Sequence, residues 1–242
     1  MKPQPAPDAA AVRDVWIAHV PRGGGTPVRL HGVSIAAPRC GAPQLLYLHG
    51  ARCDMHSSAL RMLRLRELGF AVLGIDYRGY GRSTPAWPTE RRACEDAAAA
   101  WRWLAVQQPQ ARRYLYGHSL GGAIAVQLAT QVDDVAGLIL ESAFTSLPAV
   151  LNGVRWGGRQ LGALLAPCFD AASRVAGVKA PVLVVHGSDD RLVPPALGQA
   201  LFECAPPPKR FVLVEGGTHH DAAAIGRAQY RAALHELFGL AS

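Results

Sequence analysis

The sequence predicts an α/β fold: a mostly parallel, doubly wound, eight-stranded sheet flanked by helices, with a small cap insertion. Three observations carry that expectation. Short apolar runs alternate with helix-length segments over most of the 242 residues. Each run is nearly continuous in its apolar character, as strands buried on both faces are. A glycine-flanked serine, Gly117-His118-Ser119-Leu120-Gly121-Gly122, separates the apolar run ending Tyr114-Leu115-Tyr116 from the helix-like Ala123-Ile124-Ala125-Val126-Gln127-Leu128-Ala129.

The elements follow in order. Residues 1–11 carry Pro3, Pro5 and Pro7 where a signal peptide would need its apolar core, and read as a disordered lead-in. One domain is expected over 12–242. Residues 12–20 and 28–35 read as antiparallel strands around Pro21-Arg22-Gly23-Gly24-Gly25-Thr26-Pro27. Strands are then expected at 44–48, 71–75, 113–116, 136–141, 181–186 and 210–214. Helices are expected between and after them, at 57–68, 90–107, 121–130, 195–203 and 222–238. Strands alternating with helices imply parallel crossovers. The stretch 146–169, with Trp156 and Leu161, Leu164 and Leu165, breaks the alternation. It reads as a small cap over the site's mouth, the alternative being an ordinary crossover helix.

Composition narrows the function classes. Half of the residues are hydrophobic, which excludes a disordered chain. No apolar run approaches the ~18 residues of a membrane span. Five scattered cysteines (Cys40, Cys53, Cys94, Cys168, Cys204) form no C-x-x-C pair, so neither a disulfide framework nor a zinc site is expected, and the cytoplasm is. The net charge of +7 is largely arginine and reads as a solvated surface, with attraction to an anionic membrane surface or acidic substrates as the alternative. No module or aromatic pattern for nucleic acid accompanies it.

The chemistry starts at Ser119. A G-x-S-x-G turn between strand and helix lifts a serine onto the sheet's carboxyl edge, over a helix N-terminus that favours developing negative charge. Gly117 and Gly121 leave the turn room, and Gly122 lets the helix pack close. A serine hydroxyl needs a base, and the base a group to orient it. Acid candidates lie in His186-Gly187-Ser188-Asp189-Asp190, where Asp190 is favoured over Asp189 because it reaches toward the last loop. Glu141 is a third. Base candidates lie in Gly216-Gly217-Thr218-His219-His220, with His219 favoured over His220. His118 flanks the serine but points the wrong way along the turn and reads as packing. Oxyanion donors are expected from the backbone N–H groups of Leu120 and of the 49–52 loop, Ala51 first and Arg52 second, with His49 and Gly50 shaping that loop. Cys53 stands near it, so thiol reagents are expected to inhibit without any catalytic cysteine.

Leu48-His49-Gly50, Asp76-Tyr77-Arg78-Gly79-Tyr80-Gly81-Arg82-Ser83, the Ser119 motif, His186-Gly187-Ser188-Asp189-Asp190 and Gly216-Gly217-Thr218-His219 occur in that order. Together they resemble the signature blocks of the α/β-hydrolase superfamily, nearest to its small-capped depalmitoylase-like branch and bacterial relatives. The resemblance runs from about Val28 to Phe238. It implies Ser119 as nucleophile, Asp190 as acid, His219 as base, and Ala51 and Leu120 as oxyanion donors. It departs at His220, where those relatives often have Asn. The Asp76 block reads as structural. The expected activity is hydrolysis of a small-molecule carboxylic ester or thioester through an acyl-enzyme, with neither metal nor cofactor. Alternatives are an acyltransferase or perhydrolase, an amidase or peptidase, and a non-catalytic ligand-binding protein.

Overall fold

The computed structural model describes residues 12–153 and 168–240. Its core is a sheet of eight strands: β1 (Val12–His19), β2 (Val28–Ile35), β3 (Gln44–Leu48), β4 (Ala71–Ile75), β5 (Arg113–His118), β6 (Val135–Glu141), β7 (Val182–Gly187) and β8 (Lys209–Val214). Their spatial order is β1-β2-β4-β3-β5-β6-β7-β8. β1 and β2 pair antiparallel, as do β2 and β4, and every later pairing is parallel. The expected mostly parallel sheet is therefore present.

The helices among the described residues are α1 (Met55–Glu67), α2 (Glu90–Gln107), α3 (Leu120–Ala129), α4 (Leu147–Gly153), α5 (Ala172–Val175), α6 (Pro195–Cys204), α7 (Ala222–Ile225) and α8 (Arg227–Phe238). On one face, α1, α7 and α8 bury Met55, Met62, Leu65, Ala222, Leu234 and Phe238 against the sheet. On the other, α2, α3, α5 and α6 pack Ala97, Trp101, Ile124, Val126, Val175 and Leu201. Both strand faces are covered, which is why the strands carry no polar alternation.

Local chemistry sets the helix ends. Asp54 caps α1 in a reciprocal box: its carboxylate accepts the Ser57 N–H at 2.8 Å, and Ser57 Oγ accepts the Asp54 N–H at 2.9 Å. Thr89 caps α2 through the Arg92 N–H at 3.2 Å. Gly239 closes α8 in the left-handed region, with φ of 65°.

Three differences from the sequence reading have physical causes. β5 runs two residues further, because Gly117 pairs with Leu48 and His118 with Glu141. The expected helix 222–238 is broken at Gly226, which lies so close to β8 that an added Cβ would sit 2.5 Å from Val214 Cγ2. Arginine is not confined to a solvated surface: Arg61 and Arg78 are buried in ion pairs. The lead-in (1–11) and most of the proposed cap, including Trp156 and Leu161, Leu164 and Leu165, fall outside the described residues.

The Asp76 block ties the two halves of the sheet to α1 and α2. Asp76 accepts the Met55 N–H at 2.9 Å, at the first turn of α1, and pairs with His31 Nδ1 at 2.8 Å. Ser83 Oγ donates to the Asp76 carbonyl at 2.6 Å and accepts the His31 N–H at 2.8 Å. Arg78 carries the loop onto α2, pairing with Asp96 at 2.7 Å and Glu95 at 2.8 Å. Asp76→Ala orphans two buried donors and should cost about 3 kcal/mol in urea unfolding. A loss below about 0.5 kcal/mol, the scale of an ordinary surface change, would contradict this structural role.

Candidate active site

Ser119 occupies the single residue between β5 and α3, with φ of 54° and ψ of −121°. Positive φ is costly for a residue with a Cβ, and it persists only where surroundings over-determine it. Here they do. The Ser119 N–H donates to the Glu141 carbonyl at 2.9 Å, and the Ser119 carbonyl accepts the Gly122 N–H at 2.9 Å. A Cβ on Gly117 would lie 2.4 Å from the Gly121 carbonyl oxygen, and one on Gly121 would lie 2.1 Å from that of Leu48. Gly122 meets Ala143, just beyond β6, with a virtual Cβ only 2.6 Å from the Ala143 methyl. Three chain segments thus converge where a side chain at any of these glycines would push them apart.

The loops after β7 and β8 interlock beside this elbow. A Cβ on Gly187 would sit 2.2 Å from the Gly217 carbonyl oxygen, so bare backbones are in contact. The Ser188 N–H donates to the Val214 carbonyl at 2.9 Å, and the Asp189 N–H to the Gly217 carbonyl at 2.8 Å. This arrangement turns Asp189 to solvent and Asp190 inward. Asp190 Oδ2 meets His219 Nδ1 at 2.8 Å, while Oδ1 accepts the N–H groups of Leu192 and Val193 at 3.0 and 2.8 Å. Burial works to raise the Asp190 carboxyl, but hydrogen bonds from His186, His219 and Val193 outweigh it and hold the group well below the usual carboxylate range. An ionised carboxylate only accepts, so in this pair His219 donates from Nδ1.

Glu141 does not face the base. Its carboxylate is buried against Arg61, Tyr116 and Tyr230. His220 is exposed: its backbone carbonyl accepts from Arg61 Nη2 at 3.1 Å, its N–H donates to Thr218 Oγ1 at 3.4 Å, and its ring lies edge-on to that of His219 at 5.1 Å. His118 does more than pack: its Nε2 donates to the His219 carbonyl at 2.9 Å, and the two rings lie 4.9 Å apart. Burial, with the Arg61 charge nearby, holds the His118 imidazole well below its usual value, so it stays neutral. That contact, like Arg61, was not legible in the sequence, since strand–helix spacing says nothing about which side chain touches a loop a hundred residues on.

The loop after β3 lies against the elbow from the other side. Gly50 approaches so closely that its virtual Cβ is 3.3 Å from Ser119 Cβ. His49 is buried, its Nδ1 2.8 Å from the Gly50 carbonyl and its ring 4.4 Å from that of Tyr77. Ala51 is exposed at the turn closed by the Cys53 N–H donating to the Gly50 carbonyl at 3.2 Å. Ala51 and Leu120 together line a cavity of about 200 Å³, walled by Tyr77, Tyr80, Leu147 and Phe169. Among the described residues, no group of three or more His, Cys, Asp or Glu side chains is arranged to hold a metal ion.

The depressed carboxyl of Asp190 makes a signed prediction. A folded-state value below the unfolded one stabilises fully above the unfolded value of about 3.9, and that contribution is lost as pH falls below it. The gap in unfolding free energy between the native protein and Asp190→Asn should therefore narrow from pH 7 to pH 3. A gap that stays constant or widens would show that Asp190 is not held ionised by its partners.

A family model described as serine aminopeptidase, S33 matches residues 42–173. The chain is 41% identical over 181 residues to an uncharacterized protein of Mycobacterium tuberculosis, covering 74% of this chain and 63% of that one. It is 32% identical over 187 residues to protein bem46 of Schizosaccharomyces pombe, covering 74% and 62%. It is 34% identical over 184 residues to the lysophosphatidylserine lipase ABHD12 of Danio rerio, covering 67% and 47%. The chain thus spans less than two thirds of the length of these curated relatives. Its fold is that of the Pyrococcus furiosus esterase Pf2001, with a TM-score of 0.75 at 18% identity, covering 94% of this chain and 92% of that one. The matched family, these relatives and the sheet order that presents Ser119 at its carboxyl edge agree, and the chain belongs to the α/β-hydrolase superfamily of hydrolases.

Proposed function

We propose that the protein is a serine hydrolase that cleaves a carboxylic ester or thioester through an acyl-enzyme. The observation that carries this reading is the 2.8 Å pairing of Asp190 with His219 on loops interlocked beside the strained Ser119 elbow. Ser119 Oγ attacks the substrate carbonyl while His219 Nε2 takes its proton. Asp190 holds the imidazole in the Nδ1–H tautomer and stabilises its cation. The tetrahedral oxyanion is received by the backbone N–H groups of Leu120 and Ala51, and each such donor typically accounts for about 10²–10³ in turnover. His219 then protonates the leaving group, and water repeats the cycle.

An acyl ester is favoured by the cavity beside the elbow. Its walls are mostly apolar and aromatic, and its roughly 200 Å³ equals about seven waters at ~30 Å³ each, which suits a short acyl chain. The lipase name of one relative and the esterase name of a structural neighbour support the same class. The family description favours a second reading, cleavage of an aminoacyl amide by the same residues. The five free cysteines support action in the cytoplasm. No helix among the described residues is long and apolar enough to cross a membrane.

Hydrolysis of p-nitrophenyl esters from acetate to palmitate, beside an aminoacyl p-nitroanilide, tests the reading. Turnover should favour short esters over palmitate and over the anilide. Ser119→Ala should lower kcat by about 10⁶. Asp190→Asn should lower it by about 10⁴ and Asp189→Asn should leave it nearly unchanged. Undiminished turnover in Ser119→Ala would overturn the nucleophile, and a severe loss in Asp189→Asn alone would overturn the acid.

A further inference from the structure

Beneath the proposed site, one buried residue joins segments that are far apart in the chain. Glu141 ends β6, between the strand that carries the elbow and the strand that leads to Asp190. Its backbone carbonyl accepts the Ser119 N–H at 2.9 Å. Its side chain is fully buried, yet both oxygens are occupied: Oε1 faces Arg61 Nη1, and Oε2 accepts from Tyr116 Oη at 2.6 Å and from Tyr230 Oη. The two tyrosines come from β5 and α8, and the arginine from α1.

Arg61 does not close the network. Its other terminal nitrogen, Nη2, reaches the backbone carbonyl of His220 at 3.1 Å. The preceding carbonyl, that of His219, is held by His118 Nε2 at 2.9 Å. Two consecutive carbonyls of the histidine loop are thus gripped by side chains from α1 and β5. The loop includes Gly216, at φ of 70°, and Gly217, residues with no side chain to anchor it. Burial works against the Arg61 charge, but the neighbouring Glu141 carboxylate, with Tyr116 and Tyr47, holds the guanidinium well above its ordinary value, so the donor fork is always charged.

Stability alone does not account for this arrangement. A buried ion pair is on average no more stabilising than well-packed apolar side chains of the same volume. A planar fork does serve a purpose that a point charge does not, because it can face a carboxylate and a carbonyl at once with fixed geometry.

We propose that Arg61, seated by Glu141, is a positioning residue that fixes the His220 carbonyl and thereby sets the His219 imidazole relative to Ser119. A single carboxylate then couples the nucleophile elbow, through its backbone, to the base loop, through its side chain. The inference rests on the reading of Ser119 and His219 as nucleophile and base.

Arg61→Lys keeps the charge beside Glu141 and removes the fork. Its kcat on a short p-nitrophenyl ester should fall by about 10²-fold with KM little changed, the scale expected from a 1 Å misplacement. Covalent labelling of Ser119 by a fluorophosphonate, which needs the base but little substrate recognition, should slow in parallel. If Arg61→Lys does not fold, the pair Arg61→Gln with Glu141→Gln, which leaves no unpaired buried charge, carries the same comparison. A folded variant that labels and turns over at the native rate overturns the proposal, even if its unfolding midpoint drops. Ser119→Ala, assayed alongside, separates the two failures: if it still hydrolyses ester, the underlying assignment of the nucleophile is what fails.

Discussion

The structure is organised around the backbone conformation of Ser119. A residue with a Cβ is held at φ of 54° because β3, the end of β5, the start of α3 and the segment after β6 all crowd the same point. The crowding is possible only with glycine at 117, 121 and 122, and its cost is offset by the burial that the converging elements achieve on both sheet faces. Everything that surrounds the serine inherits its place from that convergence. The loop after β3 is brought within contact of Ser119 through Gly50.

The second constraint lies two and three strands further along the sheet from β5. The turns after β7 and β8 meet backbone to backbone at Gly187 and Gly217, which aims Asp190 and His219 at each other from opposite directions. Neither turn is rigid by composition. They are made so by hydrogen bonds between them, by the two N–H groups that seat Asp190, and by the grip of His118 and Arg61 on the histidine loop. Buried polar groups cost least where they are paired, as the carboxylates of Asp190 and Glu141 are. The charged groups lie beneath the elbow, whereas the cavity lined by Ala51, Leu120, Leu147 and Phe169 is mostly apolar.

Much of this was legible in the chain. The strand positions could be read because strands covered on both faces must be apolar throughout, and the serine motif because a strand-to-helix turn this tight tolerates little but glycine. The starts of the helices at 90 and 195 could be read from the pattern, whereas α1 begins at Met55, two residues before the expected 57, where Asp54 caps it. The break at Gly226 could not, since an isolated glycine in a helical pattern is ordinary, and only the proximity of Val214 makes it a requirement. The reading of arginine as solvated surface failed at Arg61 and Arg78 for a similar reason: one-dimensional charge patterns carry no information about which carboxylate lies across the fold.

By itself the sequence determined the α/β architecture, the order of its strands and helices, the elbow at Ser119 and the short stretches that hold an acid and a histidine. These depend on periodicity, on steric limits and on turn chemistry, all of which act within a few residues. Only the tertiary structure decided that Asp190 rather than Asp189 or Glu141 meets His219, that Glu141 is taken up by Arg61, Tyr116 and Tyr230, and that His118 and Arg61 hold the histidine loop. Those outcomes depend on distances of about 3 Å between segments far apart in the chain, and such distances are set by how the sheet twists and packs rather than by any local preference.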